Sequence, residues 1–152
     1  ISDYKIENDQ ELYKKITETF SFEDQKNVEK IGDKLYFSPL LFFQMKDNPF
    51  KIEDRNYPVD FNFPFKDSYV LNIKIPDNYE VEFSPEDTNL FMENNYGAFT
   101  YKITQMNTTL QIAITFEVNT PAVPSKDYKG LKSFYNMMLE KQSEKIILKK
   151  KI

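Results

Sequence analysis

Carboxylates are the side chains in this sequence best suited to transfer protons. Glu80 and Glu82 are two residues apart, a spacing that places both on one face of a strand, and Asp47, Glu53 and Asp54 form a second group. Two carboxyl groups held about 5 to 9 Å apart in a cleft can hydrolyse a glycosidic bond. The spacing selects no particular pair, and acids on a solvated strand face or in loops account for the same residues.

The sequence contains no cysteine and no histidine. A thiol nucleophile, a disulfide framework and a thiolate or imidazole metal site are therefore excluded, together with the most common general base. Residues 46–56 and 84–95 are rich in the oxygen ligands that calcium prefers, but neither has the ligand spacing of an EF-hand loop. We predict no catalytic residue, no metal site and no cofactor in this chain.

Aromatic side chains supply much of the apolar bulk, with 14 phenylalanines, 10 tyrosines and no tryptophan. Rings exposed on a β-scaffold can stack on sugars, so a carbohydrate-binding module is one possible function. Most of the rings fall on the apolar positions of strand or helix patterns, which predicts that they form the core. The rings placed loosely enough to be surface candidates are Tyr57, Phe63, Phe91 and Tyr96.

The segment 49–65, PFKIEDRNYPVDFNFPF, contains three of the eight prolines. Because proline lacks a backbone donor and favours an extended residue before it, this segment cannot be a continuous central strand. We predict an extended crossover or an edge strand, with Asp60 and Asn62 facing outwards. The alternate residues expected to press on the core are Val59, Phe61, Phe63 and Phe65.

Arg55 is the single arginine among 20 basic residues. A planar guanidinium can bind a carboxylate through two parallel hydrogen bonds, which a lysine cannot do. We predict that Arg55 is a structural clamp rather than a ligand contact, with Glu53, Asp54 or Asp60 as its partner. The sequence identifies no ligand-binding residue.

Alternation of apolar and polar residues dominates the chain from residue 69 onwards. Residues 69–75 alternate in this way, and residues 99–103 and 110–118 repeat the pattern on either side of Asn107, which predicts a hairpin. Less regular segments also have the composition of strands. We predict these at residues 16–22, 34–43, 57–63, 79–83 and 89–92.

A helical pattern follows these strands, over residues 125–142. Ser125 can cap its start and Asp127 lies in its first turn. Residues 145–150 predict a short final strand. About eight or nine strands with one late helix favour a β-sandwich or a barrel, which the pattern does not separate. The apolar face of the helix is formed by Tyr128, Leu131, Tyr135 and Met138.

The length of 152 residues fits a single domain with a core of its own. The net charge of −4 and the scattered lysines argue against a nucleic-acid binder. With no run of about 18 apolar residues and no apolar leader, we predict no membrane insertion. Because the chain begins at Ile1 rather than at a methionine, we expect a piece of a longer protein. Residues 1–12 would then be a linker, or a segment leading into the domain.

Four sequence blocks occur in a recognisable order. They are GDKLYFSPLLF at 32–42, NPFKIEDRNYPVDF at 48–61, the strand 69–75 followed by PDNYEV, and DYKGLKSFYNMMLEKQSEKIILKKK at 127–151. Together they resemble the C-terminal domain of unknown function found in exported bacterial proteins with a transglutaminase-like middle domain. The likeness covers residues 31–151, and none of the blocks is a catalytic signature.

The resemblance implies an immunoglobulin-like β-sandwich with a late helix, located in the periplasm or cell envelope of Bacteroidetes-type bacteria. It implies a non-enzymatic accessory domain that supports or positions the neighbouring transglutaminase-like domain, or holds a protein or peptide partner. A transglutaminase-like active site needs Cys, His and Asp, so any catalysis by the longer protein would lie upstream of Ile1. A glycan-binding module remains the alternative, and nucleic acid is not an expected partner.

Overall fold

A computed structural model of the chain describes residues 1–22 and 27–151, apart from the side chain of Phe42. The described residues contain one α-helix and twelve strands. The helix α1 spans Tyr128–Ser143 and continues a 3-10 turn at Ser125–Asp127. The strands are β1 (Ser2–Glu7), β2 (Thr17–Ser21), β3 (Val28–Ile31), β4 (Lys34–Phe37), β5 (Val59–Asp60), β6 (Phe65–Lys74), β7 (Tyr79–Phe83), β8 (Thr88–Phe91), β9 (Gly97–Met106), β10 (Thr109–Val118), β11 (Ala122–Val123) and β12 (Ile146–Lys150).

Two four-stranded antiparallel sheets form the layers of a sandwich-like domain. The first sheet has the strand order β6-β10-β9-β8, and the second has the order β3-β4-β12-β7. The pairs β1-β2 and β11-β5 are separate two-stranded sheets. The predicted sandwich with a late helix and a short final strand is confirmed, and the barrel that the pattern left open is excluded.

The strands β9 and β10 form the predicted hairpin. Met106 pairs with Thr109, so the loop consists of Asn107 and Thr108. Asn107 has a φ of 53°, a left-handed conformation that asparagine tolerates better than most residues. The outward residues of β10 are only partly buried, as expected for a sheet with one solvated face. The inward residues of β10 are all buried: Leu110, Ile112, Ile114, Phe116 and Val118.

The helix α1 packs on the inward face of the first sheet. The Tyr135 ring lies 5.7 Å from the Phe116 ring and perpendicular to it, and the Phe134 ring lies 6.4 Å from the same ring. Burying each such side chain contributes about 1.5–3 kcal/mol, so packing is the main source of the stability of this helix. The predicted apolar face is confirmed, since all four of its residues are buried: Tyr128, Leu131, Tyr135 and Met138.

Prolines shorten two of the predicted strands. The strand predicted at 34–43 ends as β4 at Phe37, and after Pro39 the chain forms a 3-10 turn at Leu41–Phe43. Within the segment 49–65, the strand β5 has only two residues and pairs with β11. The predicted crossover is therefore correct, with a short edge pair at its centre.

Phe63 corrects the expected orientation of the same segment. It was predicted to press on the core, but it is 65% exposed. The preceding residue, Asn62, has a φ of 66°, and this left-handed turn breaks the alternation of the strand. Val59 is buried and Phe61 and Phe65 are half-buried, as predicted.

The first 21 residues form a hairpin from β1 and β2. Ile6 pairs with Glu18 and Glu7 with Thr17. The predicted strand 16–22 is observed as β2, whereas β1 lies within residues 1–12, for which no strand was predicted. That residues 1–12 lead into the domain from a longer protein stays a prediction.

Candidate interaction surfaces

Lys132 on α1 fastens the proline-rich crossover to the helix. Its Nζ donates to the carbonyl oxygens of Lys51 and Ile52 at 3.2 and 3.1 Å, and it pairs with Glu53 at 2.8 Å. The Tyr128 hydroxyl, one turn earlier, donates to the carbonyl of Ile52 at 3.0 Å. Two helix side chains therefore satisfy backbone groups that the crossover itself leaves unpaired.

Asn48 and Phe50 anchor the start of the crossover. The Asn48 Nδ2 donates to the carbonyl of Lys132 at 2.9 Å and to Oδ1 of Asn136 at 2.6 Å. Its Oδ1 accepts from the backbone N–H of Phe50 at 2.8 Å, and the Phe50 ring meets the Tyr135 ring edge-on at 4.8 Å. Asn48 and Phe50 therefore hold the start of the crossover against the helix.

Arg55 is not brought together with any of the carboxylates predicted to bind it. Its Nε donates to the carbonyl oxygen of Tyr57 at 3.1 Å, and it forms no ion pair with a described residue. The clamp of this segment is the lysine on α1, which sequence reasoning missed. The predicted partners have other contacts: Glu53 with Lys132, Asp54 with Lys129 at 2.9 Å, and Asp60 with the backbone N–H of Asn62 at 2.7 Å.

Of the two acids of β7, Glu80 and Glu82, the second has a structural contact. Glu82 pairs with Lys34 across the second sheet at 2.7 Å, and the hydrogen bond that Lys34 donates to Glu82 raises the pKa of Lys34. Asp47, from the other acidic group, pairs with Lys51 at 3.4 Å. In residues 1–22 and 27–151, no three Asp or Glu side chains are grouped so that they could hold a metal ion.

Three of the four candidate sugar-stacking rings are exposed. Tyr57, Phe63 and Phe91 are 78%, 65% and 73% exposed. Tyr96 is half-buried, and its hydroxyl donates to Asp127 at 2.9 Å, a contact that raises the pKa of Tyr96. No contact between the exposed rings joins them into one platform within the described part of the chain. The glycan-binding alternative stays a prediction.

A buried polar group lies where α1 meets β9. The Tyr101 hydroxyl is buried and has no hydrogen-bond partner among the described residues. Lys141 lies 5.3 Å from the centre of the Tyr101 ring and binds Glu144 at 2.8 Å. Burial raises the pKa of Tyr101 above its usual range, and Glu144 and Asp87 act in the same direction. The neutral phenol is therefore strongly favoured.

One face of the hairpin β1-β2 is polar, and the other is apolar apart from Glu18. Since Ile6 is opposite Glu18, the two side chains share a face, and alternation adds Ile16 and Phe20 to it. The opposite face carries the polar residues Lys5, Glu7, Thr17, Thr19 and Ser21. We call Ile6, Ile16 and Phe20 the apolar hairpin face; they are 43%, 60% and 37% exposed. The hairpin pairs with no other described strand.

Two cavities follow the inward side of β6. The aliphatic cavity, of about 450 Å³, lies beside residues 71–74 and has Lys74 as its charged lining residue. The aromatic cavity, of about 350 Å³, lies beside residues 65–69 and has Asp67 as its charged lining residue. Apolar residues of the aliphatic cavity include Val28, Leu35, Phe37, Leu41, Leu71 and Ile73. Rings of the aromatic cavity include Phe43, Phe61, Phe65, Tyr69, Phe116 and Tyr135.

Comparisons with known proteins place the chain in a family. No curated protein matches the sequence, and α1 is too short and too polar to cross a membrane. A solved structure from Parabacteroides distasonis, described as a "putative protease", is similar with a TM-score of 0.54 and 12% identity. The likeness covers 66% of this chain and 20% of the other, so it shows a shared fold within a much longer polypeptide. A family model for a domain of unknown function with a solved structure, DUF3858, matches residues 33–148. The chain therefore belongs to the DUF3858 family.

Proposed function

We propose that this chain is a non-catalytic C-terminal accessory domain of an exported transglutaminase-like protein, in which it supports and positions the neighbouring domain. The observation that carries the proposal is the apolar hairpin face. It lies outside residues 33–148, the part that matches the family, and its side chains remain exposed. The transglutaminase-like neighbour and the export to the periplasm or cell envelope come from the resemblance of the four sequence blocks.

The energetics of the hairpin favour a covering neighbour. A two-stranded hairpin is at best marginally stable in water unless its apolar face is packed. Ile6, Ile16 and Phe20 are still 43%, 60% and 37% exposed, so covering what remains exposed would contribute about 1 kcal/mol for each side chain. In the similar solved structure the matching part is 20% of the chain, which supports the view that such a domain works beside others in one polypeptide.

The absence of Cys and His from the sequence supports the non-catalytic part of the proposal, since a transglutaminase-like active site requires both. Among the acids that the structure describes, Glu53, Asp54 and Glu82 form ion pairs with lysines, which favours a structural role for them. A domain built in this way contributes position and stability to its neighbour rather than a reacting group.

Hydrogen exchange of the hairpin amides tests the proposal. In this chain alone we expect the amides of β1 and β2 to exchange rapidly. In the longer polypeptide that includes the upstream domain, we expect them to be protected. Equal exchange in the two proteins would contradict the proposal.

A matched pair of variants separates packing from a general effect on the strand. Phe20→Ser removes a ring from the apolar hairpin face, and Thr19→Ser changes its polar neighbour. In the longer polypeptide Phe20→Ser should lower the free energy of unfolding by about 2 kcal/mol, because the contact with the neighbour is lost. Thr19→Ser should have little effect, and equal effects of the two variants would count against a covered face.

A further inference from the structure

The strand β6 is an edge of the first sheet with a free row of backbone groups. The N–H of Ile75 donates to the carbonyl of Thr108, which identifies this pair as hydrogen-bonded. Because bonded and non-bonded pairs alternate in an antiparallel ladder, the odd-numbered residues of β6 bond to β10. The N–H and C=O groups that point away from β10 belong to Lys66, Ser68, Val70, Asn72 and Lys74. No other described backbone group bonds to them.

The cavities lie beside this free edge, and both are on the inward side of β6. A strand added to the edge would direct alternate side chains to the same side as Tyr69, Leu71 and Ile73. These side chains would pass the aliphatic cavity first and the aromatic cavity second. An added strand would therefore pair with β6 through its main chain and fill both cavities with its apolar side chains.

The two charged lining residues determine which end of an added strand lies at which cavity. Lys74 lies at the aliphatic end and Asp67 at the aromatic end, and neither forms an ion pair with a described residue. A complementary strand has an acid at the aliphatic end and a base at the aromatic end. Paired antiparallel to β6, such a strand has its acid at its N-terminal end.

We propose that the edge of β6 is a binding site for an extended segment of a partner polypeptide. The segment adds antiparallel to β6 as a fifth strand of the first sheet. Its alternate apolar side chains enter the aliphatic and aromatic cavities, and its terminal acid and base meet Lys74 and Asp67. This is recognition by strand addition, in which the backbone supplies affinity and the cavities supply specificity. The proposal goes beyond the supporting role of the domain and does not depend on the hairpin.

An octapeptide fitted to the register of β6 tests the proposal. In Glu-Ile-Thr-Ile-Thr-Phe-Thr-Lys, the residues opposite positions 73, 71 and 69 are Ile, Ile and Phe, the glutamate is opposite Lys74, and the lysine is opposite Asp67. The control is Lys-Ile-Thr-Ile-Thr-Phe-Thr-Glu, which has the same composition with the two charges exchanged. Fluorescence anisotropy of labelled peptides with the full chain should show tighter binding of the first peptide. Equal binding of the two peptides, or no binding, would overturn the proposal.

Two protein variants test the backbone and the charge separately. Val70→Pro removes an outward N–H without removing a hydrogen bond to β10, and it should weaken binding of the first peptide about tenfold. Val70→Thr keeps that N–H and should bind normally. Lys74→Glu, an exposed change that does not depend on the fold tolerating proline, should abolish the preference between the peptides, because each peptide then has one matched and one repelling charge pair. A Lys74→Glu variant that keeps the original preference would refute the assigned direction.

Light scattering of the chain without peptide distinguishes a second copy from a separate partner. The proposal expects a monomer that binds one peptide. A dimer that is lost in Val70→Pro would show that a second copy of the chain occupies the edge, and would overturn the assignment to a partner polypeptide.

Discussion

Replacing Lys132 by methionine should remove the contacts through which this side chain holds the crossover against α1. The substitution keeps an unbranched apolar stem of similar length and removes the ammonium group. That group donates to the carbonyls of Lys51 and Ile52 and pairs with Glu53. The Lys132 side chain is 21% exposed, whereas the Glu53 side chain is 87% exposed. The two carbonyl contacts therefore carry most of the expected effect, because an exposed ion pair contributes little.

The magnitude follows from those contacts. A hydrogen bond from a charged group contributes about 1.5–3 kcal/mol when it is buried, and about 1 kcal/mol is reasonable for each carbonyl here because water can partly replace the ammonium. We expect Lys132→Met to lower the free energy of unfolding by about 2 kcal/mol. For a domain of this size, that corresponds to a fall in Tm of about 4–8 °C.

Urea titration and thermal unfolding followed by circular dichroism would measure the effect. Lys129→Met is the matched control, since Lys129 is on the same helix and pairs with Asp54 through side chains that are 76% and 78% exposed. Arg55→Lys is a second control and should change Tm little, because the arginine binds a single backbone carbonyl. If Lys132→Met unfolds at the same urea concentration as Lys129→Met, the reasoning about the carbonyl contacts is wrong.

Three further predictions concern the core. Tyr101→Phe removes a buried hydroxyl that has no partner among the described residues, so urea titration should show a free energy of unfolding higher by about 1 kcal/mol; a loss would show that the hydroxyl is bonded. Burial raises the pKa of Tyr135 to about 12, from about 10 for an unfolded tyrosine. The folded state therefore holds the proton more tightly, so stability should be complete below about pH 10 and fall between about pH 10 and 12. Tyr135→Phe should reduce that fall without abolishing it, because burial also raises the pKa of Tyr101, and an unchanged pH dependence would assign the whole fall to other groups. Gly97→Ala should lower Tm strongly because the added Cβ would overlap the carbonyl oxygen of Glu117, whereas Ala98→Gly should cost only about 1 kcal/mol.

Alternation was sufficient to predict the long strands because each has one buried and one solvated face. The strands β9 and β10 show this clearly, and the asparagine between them predicted their turn. The strand β1 was not predicted because only two of its six residues, Tyr4 and Ile6, are apolar, which is too few to establish a period. The length of β4 was overestimated because its apolar run continues past Pro39, where the chain turns.

The clamp of the crossover shows why a contact is harder to predict than a strand. The sequence led to the prediction that Arg55 is the clamp, with Glu53, Asp54 or Asp60 as its partner, because it is the single arginine among 20 basic residues. The cation that the fold supplies is Lys132, which is 79 positions from Glu53. Nothing in the local sequence distinguishes this lysine from the others. Only the packing of α1 against the crossover brings its ammonium to three oxygens.

The alternation of apolar and polar residues also does not show whether a strand lies at the centre or at the edge of a sheet. The strands β6 and β10 both alternate over ten residues, although β10 has two neighbours and β6 has one. One residue of β6 does indicate that it is an edge strand. Asp67 occupies the inward phase, where a central strand would have to bury its charge at a cost of several kcal/mol. An inward charge is also a means by which edge strands resist indiscriminate pairing. At β6 the same charge excludes strands with no matching base and admits a strand that has one, so a single aspartate can both protect the edge and select its partner.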